Sequence, residues 1–307
     1  MILETIDLTK HSFLAASSAR KLRILTFSTL YPNAEQPHHG IFVENRLRHL
    51  VGTGQVESVV VAPVPYFPRG VPGFAKWKTY TRIPHRENRD KITVYHPRYP
   101  VIPKVGESIS PALLATASLS TLQRIRRSGY DFDLIDAHYM YPDGVAATWL
   151  GHRLNKPVVV TARGTDVNLI PRHRLPRYLI QRSLAKLAGV IAVSQALKDS
   201  VVAIGSRPDD VTVLRNGVDL DAFIPLDRFA ARQELSLDGP TLLSVGHLIE
   251  RKGHDLIIRA LSQLPEYRLL IVGDGPERDA LIQLSRQLDV AARVRFLGAQ
   301  PHRARPG

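Results

Sequence analysis

The 307-residue chain has no cysteine, which excludes disulfides and thiolate-bound metals and leaves the redox compartment unread. It has no apolar run approaching the ~20 residues that cross a bilayer as a helix. It is poor in acid: 28 Asp and Glu stand against 41 Lys and Arg, a formal charge of +13. Such an excess draws nucleic acid, acidic headgroups or nucleotide phosphates without choosing among them. Neither G-x-G-x-x-G nor G-x-x-x-x-G-K-[ST] occurs, so dinucleotide oxidoreductases and P-loop NTPases lose support. No nucleic-acid-binding module is recognisable, and no nucleic-acid partner is expected. The opening "MILETIDLTKHSFLAASSAR" lacks a basic n-region and a sustained apolar h-region. It reads as a flexible extension (1–20) rather than a secretory signal. The expected location is cytoplasmic, with the inner membrane face as its one variant.

What is present is an alternation. From Lys21, apolar runs such as "LRILTFS", "VESVVVAPV", "FDLIDAH", "KPVVVTARG" and "GVIAVS" alternate with amphipathic stretches, the βαβ pattern of a parallel sheet covered by helices. The pattern breaks between Pro63 and Pro111, where Pro, aromatic and basic residues surround one expected strand, Ile92 to Tyr95. Its stretch "YFPRGVPGFAKWKTY" fits either a solvated excursion packed back on the body or a face for acidic headgroups or an acceptor. After "VTVLRNGVDLDAFIPLDR" the alternation restarts with "TLLSVG", "YRLLIVG" and "ARVRFLG". The expectation is therefore an α/β chain of two Rossmann-like domains with parallel sheets: 21–214, a linker at 215–239, and an incomplete second domain at 240–307. Half a sheet in the second domain would leave a strand edge and apolar surface uncovered.

In doubly wound sheets ligands gather at the carboxyl ends of strands, and several polar segments fall there. In "SVGHLIERKG", Gly246 permits a tight turn while Lys252 and Gly253 lie where a helix begins, a place that stabilises anions. The same segment also fits a plain basic turn. In "VGDGPER", Gly273, Asp274 and Gly275 follow a buried strand, and Asp274 fits a helix cap. Gly40 closes a long polar loop before the helix "IFVENRLRHL". His138 ends "FDLIDAH", where an imidazole hydrogen-bonds either a substrate hydroxyl or a structural partner. In "TARGTDVN", Asp166 pairs with Arg163, caps a turn, or meets substrate. The "DFD" at Asp131 to Asp133 precedes its strand, lies at the wrong sheet edge, and is rejected as a metal site.

Taken together, "RNGVDLDAF", "SVGHLIERKG", "VGDGPER" and "RVRFLGAQPH", in that order, resemble the family 4 (group 1) retaining glycosyltransferases, whose fold is the GT-B type of two Rossmann-like domains. The resemblance runs from about Lys21 to Gln300. It implies metal-independent transfer of a sugar from a nucleotide-sugar, with retention, to a glycan or lipid-linked acceptor, and no cofactor besides the donor. Lys252 matches the lysine that holds the donor diphosphate, where positive charge stabilises the leaving group. His247 stands in place of the family's arginine, exchanging a five-donor fork for an imidazole, and Arg251 would supply the charge. Gly40 matches the glycine that approaches the donor phosphates and His138 the histidine that contacts the donor sugar. Asp166 matches the acid of an H-G-x-D-like stretch whose histidine place is taken by Arg163. The family's E-x7-E stretch has no counterpart before "AQPHRARPG" ends the sequence, so truncation of the second domain is expected. The alternative function is a remnant that binds a nucleotide or anionic surface without turnover. A nucleotide-sugar epimerase is the third possibility and would need carboxylates for proton transfer that the motifs do not supply.

Overall fold

Leu25 and Phe27 on one side of "LRILTF" and Ile24 on the other are all buried, so this run needs cover on both faces and forms a central strand, β1 (Leu22–Phe27). The chain crosses through α1 (Ile41–Gly52), which buries Val43 and Leu47, one helical turn apart, and returns as β2 (Val56–Val61), parallel to β1. The computed structural model describes residues 20–68, 74–102, 106–220 and 223–300. These form two compact units, Met1–Gly217 and Val218–Gly307.

Among its described residues, the segment expected to hold one strand holds four: β3 (Val64–Tyr66), β4 (Arg86–Arg89), β5 (Ile92–Tyr95) and β6 (Arg98–Pro100), with a 3-10 helix at Phe74–Arg82. The "RENR" of β4 reads as a loop because it is an edge strand, paired antiparallel with β5 alone. β3 and β6 are three residues each and pair only with one another, too short for a periodic signal. Trp77 stacks on Phe67 at 6.3 Å and lies 5.8 Å from Tyr80, the packed-back reading for that part of the aromatic stretch. Residues 69–73 of the stretch lie outside the described residues.

Beyond it run α2 (Gly106–Arg127), β7 (Leu134–His138), α3 (Val145–Leu154), β8 (Val158–Ala162), α4 (Thr165–Asn168), α5 (Arg174–Leu184), β9 (Gly189–Ala192), α6 (Gln195–Ile204) and β10 (Val211–Val213). The eight strands of the main sheet are ordered β10-β9-β8-β7-β1-β2-β5-β4. The order reverses between β1 and β7, and the crevice beyond the carboxyl ends of those two strands is the topological switch point. Asp131 and Asp133 are structural: Asp131 binds Arg126 and Lys156, and Asp133 binds Arg20 and the backbone of Arg23.

The second unit begins earlier than the sequence pattern places it. Within the expected linker 215–239, Asp227 caps α7 (Arg228–Glu234) by accepting from the Ala230 N–H. A polar seven-residue helix carries no periodicity to reveal it. Then follow β11 (Thr241–Val245), α8 (His254–Leu261), β12 (Arg268–Val272), α9 (Arg278–Gln287) and β13 (Val294–Gly298), the strands forming a parallel sheet ordered β11-β12-β13. Leu248, Ile258, Leu261, Leu269, Ile271 and Leu281 form its core. On β11, Leu243 and Val245 are 63% and 67% exposed.

Candidate functional site

At the switch point of the first unit, buried polar groups converge from three strand ends. His138, the last residue of β7, is 1% exposed. Its Nε2 lies 3.2 Å from Asp136 Oδ2 and its Nδ1 lies 2.8 Å from Arg163 Nη2. A guanidinium only donates, so Nδ1 is the acceptor and the ring proton sits on Nε2, facing the carboxylate. Burial lowers the affinity of His138 for a second proton, against the pull of Asp136. Burial also raises Asp136, but His138, Arg46 and Arg163 outweigh it and hold the carboxyl below its usual range. The imidazole is therefore neutral and both its nitrogens are engaged by protein.

Arg163, just beyond β8, also donates to Asn216 Oδ1 at 3.1 Å and stacks over Phe42 of α1 at 4.9 Å. Burial and the neighbouring Arg46 lower its pKa to about 10, still charged at neutral pH. Arg46 reaches from α1 to Thr161 Oγ1 at 2.7 Å. Asp166 does not pair with the Arg163 side chain. It accepts the backbone N–H groups of Met140, Arg163 and Gly164, tying the β8 loop to the end of β7. Gly40, with φ +67°, caps α1, and a Cβ there would overlap the Leu30 carbonyl. Its glycine identity thus follows from the polar loop folding onto its own start.

Asp143, in the turn after β7, is fully buried. Its Oδ2 accepts the N–H and Oγ1–H of Thr29 at 3.0 and 2.9 Å, while Oδ1 has no hydrogen-bond partner. Burial pushes this carboxyl up to about 7, against the Thr29 bonds. Because its folded pKa is raised, the native state binds the extra proton between about pH 4 and 7. Stability of this unit is expected to fall as pH rises through that window and then level off. The upper bound is about 4 kcal/mol, three pKa units at ~1.4 kcal/mol each. In Asp143→Asn that slope should flatten, as read by urea melts at a series of pH values; an unchanged slope would assign it to other groups.

In the second unit the loops after β11 and β12 interlock. Gly246 N–H donates to the Val272 carbonyl and Leu248 N–H to that of Asp274, and His247 Nδ1 donates to the Asp274 carbonyl at 2.6 Å. A Cβ on Gly273 would strike the Gly246 carbonyl and one on Gly275 the Leu248 carbonyl. These two glycines let the loops touch backbone to backbone. Gly246, read from sequence as a tight-turn glycine, is absent from the positive-φ positions; Gly253, at φ +66°, makes the turn into α8. Asp274 is not the cap of α9, which starts at Arg278 behind Glu277; its Oδ1 accepts the adjacent Gly275 N–H. Arg251 and Lys252 are exposed on the 3-10 turn directly before Gly253. Lys252, Arg251, His247 and the amino end of α8 are thereby gathered at the carboxyl edge of this sheet.

Sequence reasoning missed Asp136, Arg46, Asp143 and His254. Asp136 and His138 are two apart on one strand and so share a face, a signal that was available. His254, 3% exposed, bonds Ser244 Oγ through Nδ1, and its Nε2, without a hydrogen-bond partner, lies 3.7 Å from where a Gly246 Cβ would stand. Nothing in "KGHD" alone announces that.

Two family models match the chain: Glycosyltransferase Family 4 over residues 78–222 and Glycosyl transferases group 1 over 227–306. The putative teichuronic acid biosynthesis glycosyltransferase TuaC of Bacillus subtilis is 29% identical over 272 residues, which are 85% of this chain and 68% of that protein. Among solved structures, sucrose-phosphate synthase from Thermosynechococcus elongatus superposes with a TM-score of 0.67 at 19% identity, covering 92% of this chain and 72% of that one. Anabaena HepE in complex with UDP does so with a TM-score of 0.60 at 21% identity, covering 92% and 70%. No helix among the described residues is long and apolar enough to cross a membrane. With both halves matched in order, and with two parallel α/β units of the GT-B type, the chain belongs to the family 4 (group 1) glycosyltransferases.

Proposed function

We propose that this glycosyltransferase takes a sugar from a nucleotide-sugar and passes it, with retention and without a metal, to a glycan or lipid-linked acceptor. The observation that carries the reading is the loop from Gly246 to Gly253, which sets Lys252 beside the amino end of α8. Two features there favour a diphosphate: free N–H groups at a helix start and an exposed cation beside them. As the bond from the anomeric carbon to the diphosphate breaks, negative charge builds on the leaving oxygen, and Lys252 with Arg251 stabilises it in the role a divalent ion fills elsewhere. His247, held by the Asp274 carbonyl, keeps the two loops in register. HepE has been solved with UDP, which supports a uridine nucleotide as the first donor to try.

In the N-terminal unit, His138 and Arg163 supply the polar groups at the switch point. Since both nitrogens of His138 are engaged, a sugar hydroxyl gains this imidazole only by displacing Arg163 from Nδ1, whereas the buried Asp136 side stays closed. The test is calorimetric titration of the full chain with a panel of nucleotide-sugars, followed by donor hydrolysis and transfer assays with the product anomer read by NMR. Donor binding with a retained anomer is expected. Binding of no donor would overturn the reading, and binding without hydrolysis or transfer would favour a nucleotide-binding protein without turnover.

A further inference from the structure

In the loops after β11 and β12, Gly273 and Gly275 are glycine because a Cβ would strike a backbone carbonyl, and Gly253 because its φ is +66°. Gly246 has no such reason. Its backbone lies outside the left-handed region, and a Cβ on it would make ordinary van der Waals contacts, 3.7 Å from His254 Nε2 and 3.9 Å from both His254 Cε1 and Lys252 Cδ. An imidazole edge and a lysine stem border that point.

His254 is 3% exposed. Its Nδ1 lies 2.9 Å from Ser244 Oγ, while its Nε2, the side-chain atom nearest the point beside Gly246, is shut off from solvent without a hydrogen-bond partner. A buried ring nitrogen left unpaired is costly. The Ser244 hydroxyl both donates and accepts and rotates to suit; when it donates to Nδ1, the ring proton sits on Nε2 and faces that point. His254 is also the first residue of α8, which runs eight residues to Leu261 and whose opening N–H groups find no carbonyl within the helix. Side chain and backbone of one residue thus bring hydrogen-bond donors to the same helix start, beside Lys252.

We propose that one oxygen of the sugar donor's diphosphate settles beside Gly246 and accepts a hydrogen bond from His254 Nε2, with Ser244 donating to the other ring nitrogen. The inference rests on the donor reading of the Gly246–Gly253 loop given above. An anion is what these groups select: Lys252 brings charge, the helix start and Nε2 bring N–H groups, and an apolar group would leave Nε2 unpaired. The Lys252 stem is a flexible chain of four methylenes, and it moves aside as the ammonium turns toward a phosphate. Glycine at 246 leaves the oxygen its place, and alanine would fill it.

The test is calorimetric titration of the full chain with UDP, dTDP, GDP and ADP, repeated on variants with the diphosphate that binds most tightly. Gly246→Ala should melt within ~2 °C of the parent, since its methyl meets nothing closer than 3.7 Å, yet bind that diphosphate about tenfold more weakly. His254→Phe keeps the bulk of the ring and loses a hydrogen bond to a charged group, worth about tenfold or more in affinity. His254→Gln, whose amide N–H reaches about as far as Nε2, should recover part of the loss. In the parent, nitrogen-15 NMR should place the His254 proton on Nε2 in the complex, with the Nε2 resonance moved by the diphosphate and not by the bare nucleoside. If none of the diphosphates binds the parent, or Lys252→Ala binds as tightly as the parent, the donor reading falls and this inference with it. If Lys252→Ala weakens binding while Gly246→Ala or a folded His254→Phe binds as the parent does, the donor reading stands and the inference alone is overturned. An unmoved Nε2 resonance in the saturated complex would overturn it as well. Should His254→Phe fail to fold, Gly246→Ala and the NMR measurement decide.

Discussion

Lys252→Ala is expected to lower kcat/KM by about two to three orders of magnitude, the usual cost of removing one group that stabilises a charge developing in the transition state. The side chain is exposed and its Cδ lies 3.9 Å from where a Gly246 Cβ would stand, so it crosses the loop without supporting the core. Stability should therefore change by no more than ~0.5 kcal/mol, and a thermal melt separates the two effects. Calorimetry should show weakened binding of a nucleoside diphosphate and unchanged binding of the bare nucleoside. Lys252→Arg keeps the charge on a different geometry and should recover part of the rate. If kcat/KM in Lys252→Ala stayed within a few-fold of the parent, the diphosphate would have to rest elsewhere.

Asp136→Ala is expected to destabilise the N-terminal unit by about 3–5 kcal/mol, the cost of breaking a buried charge network by removing one partner. The variant leaves the Nε2–H of His138 without its acceptor and takes the counter-charge from Arg46 and Arg163, both of which bear on Asp136. Asp136→Asn keeps an acceptor oxygen and should cost less, which separates the hydrogen bond from the charge. Urea melts give the free energies, and nitrogen-15 NMR of His138 reports the ring proton directly: on Nε2 in the parent, and still on Nε2 in the alanine variant, where Arg163 continues to donate to Nδ1. A loss below ~1 kcal/mol would mean that the network is not formed in solution.

The alternation of apolar and amphipathic stretches was enough to read two parallel α/β units, because cover on both faces forces near-continuous apolar strands. It failed at β4 and α7. One is an edge strand with polar residues, the other a short polar helix, and neither buries enough to leave a pattern. The basic loop after β11, the proposed donor loop, was legible in "SVGHLIERKG" since Lys252 and Gly253 are adjacent in the chain. The purpose of the glycines was not: Gly40, Gly273 and Gly275 are required where backbone meets backbone, a fact about loops that close on partners up to dozens of residues distant.

The sequence by itself determined the fold class, the order of the motifs and the site of a helix start beside a lysine, all properties of neighbouring residues and periodic patterns. Only the tertiary structure decided that His138 is neutral with both nitrogens engaged, that Asp143 is buried on the first loop, and that Asp274 does not cap α9. Protonation and partnership depend on which strand ends come together at the switch point. Asp136, His138 and Arg163 come from two strands with a helix between them, and only the parallel register of β7 with β8 brings their side chains within hydrogen-bonding distance.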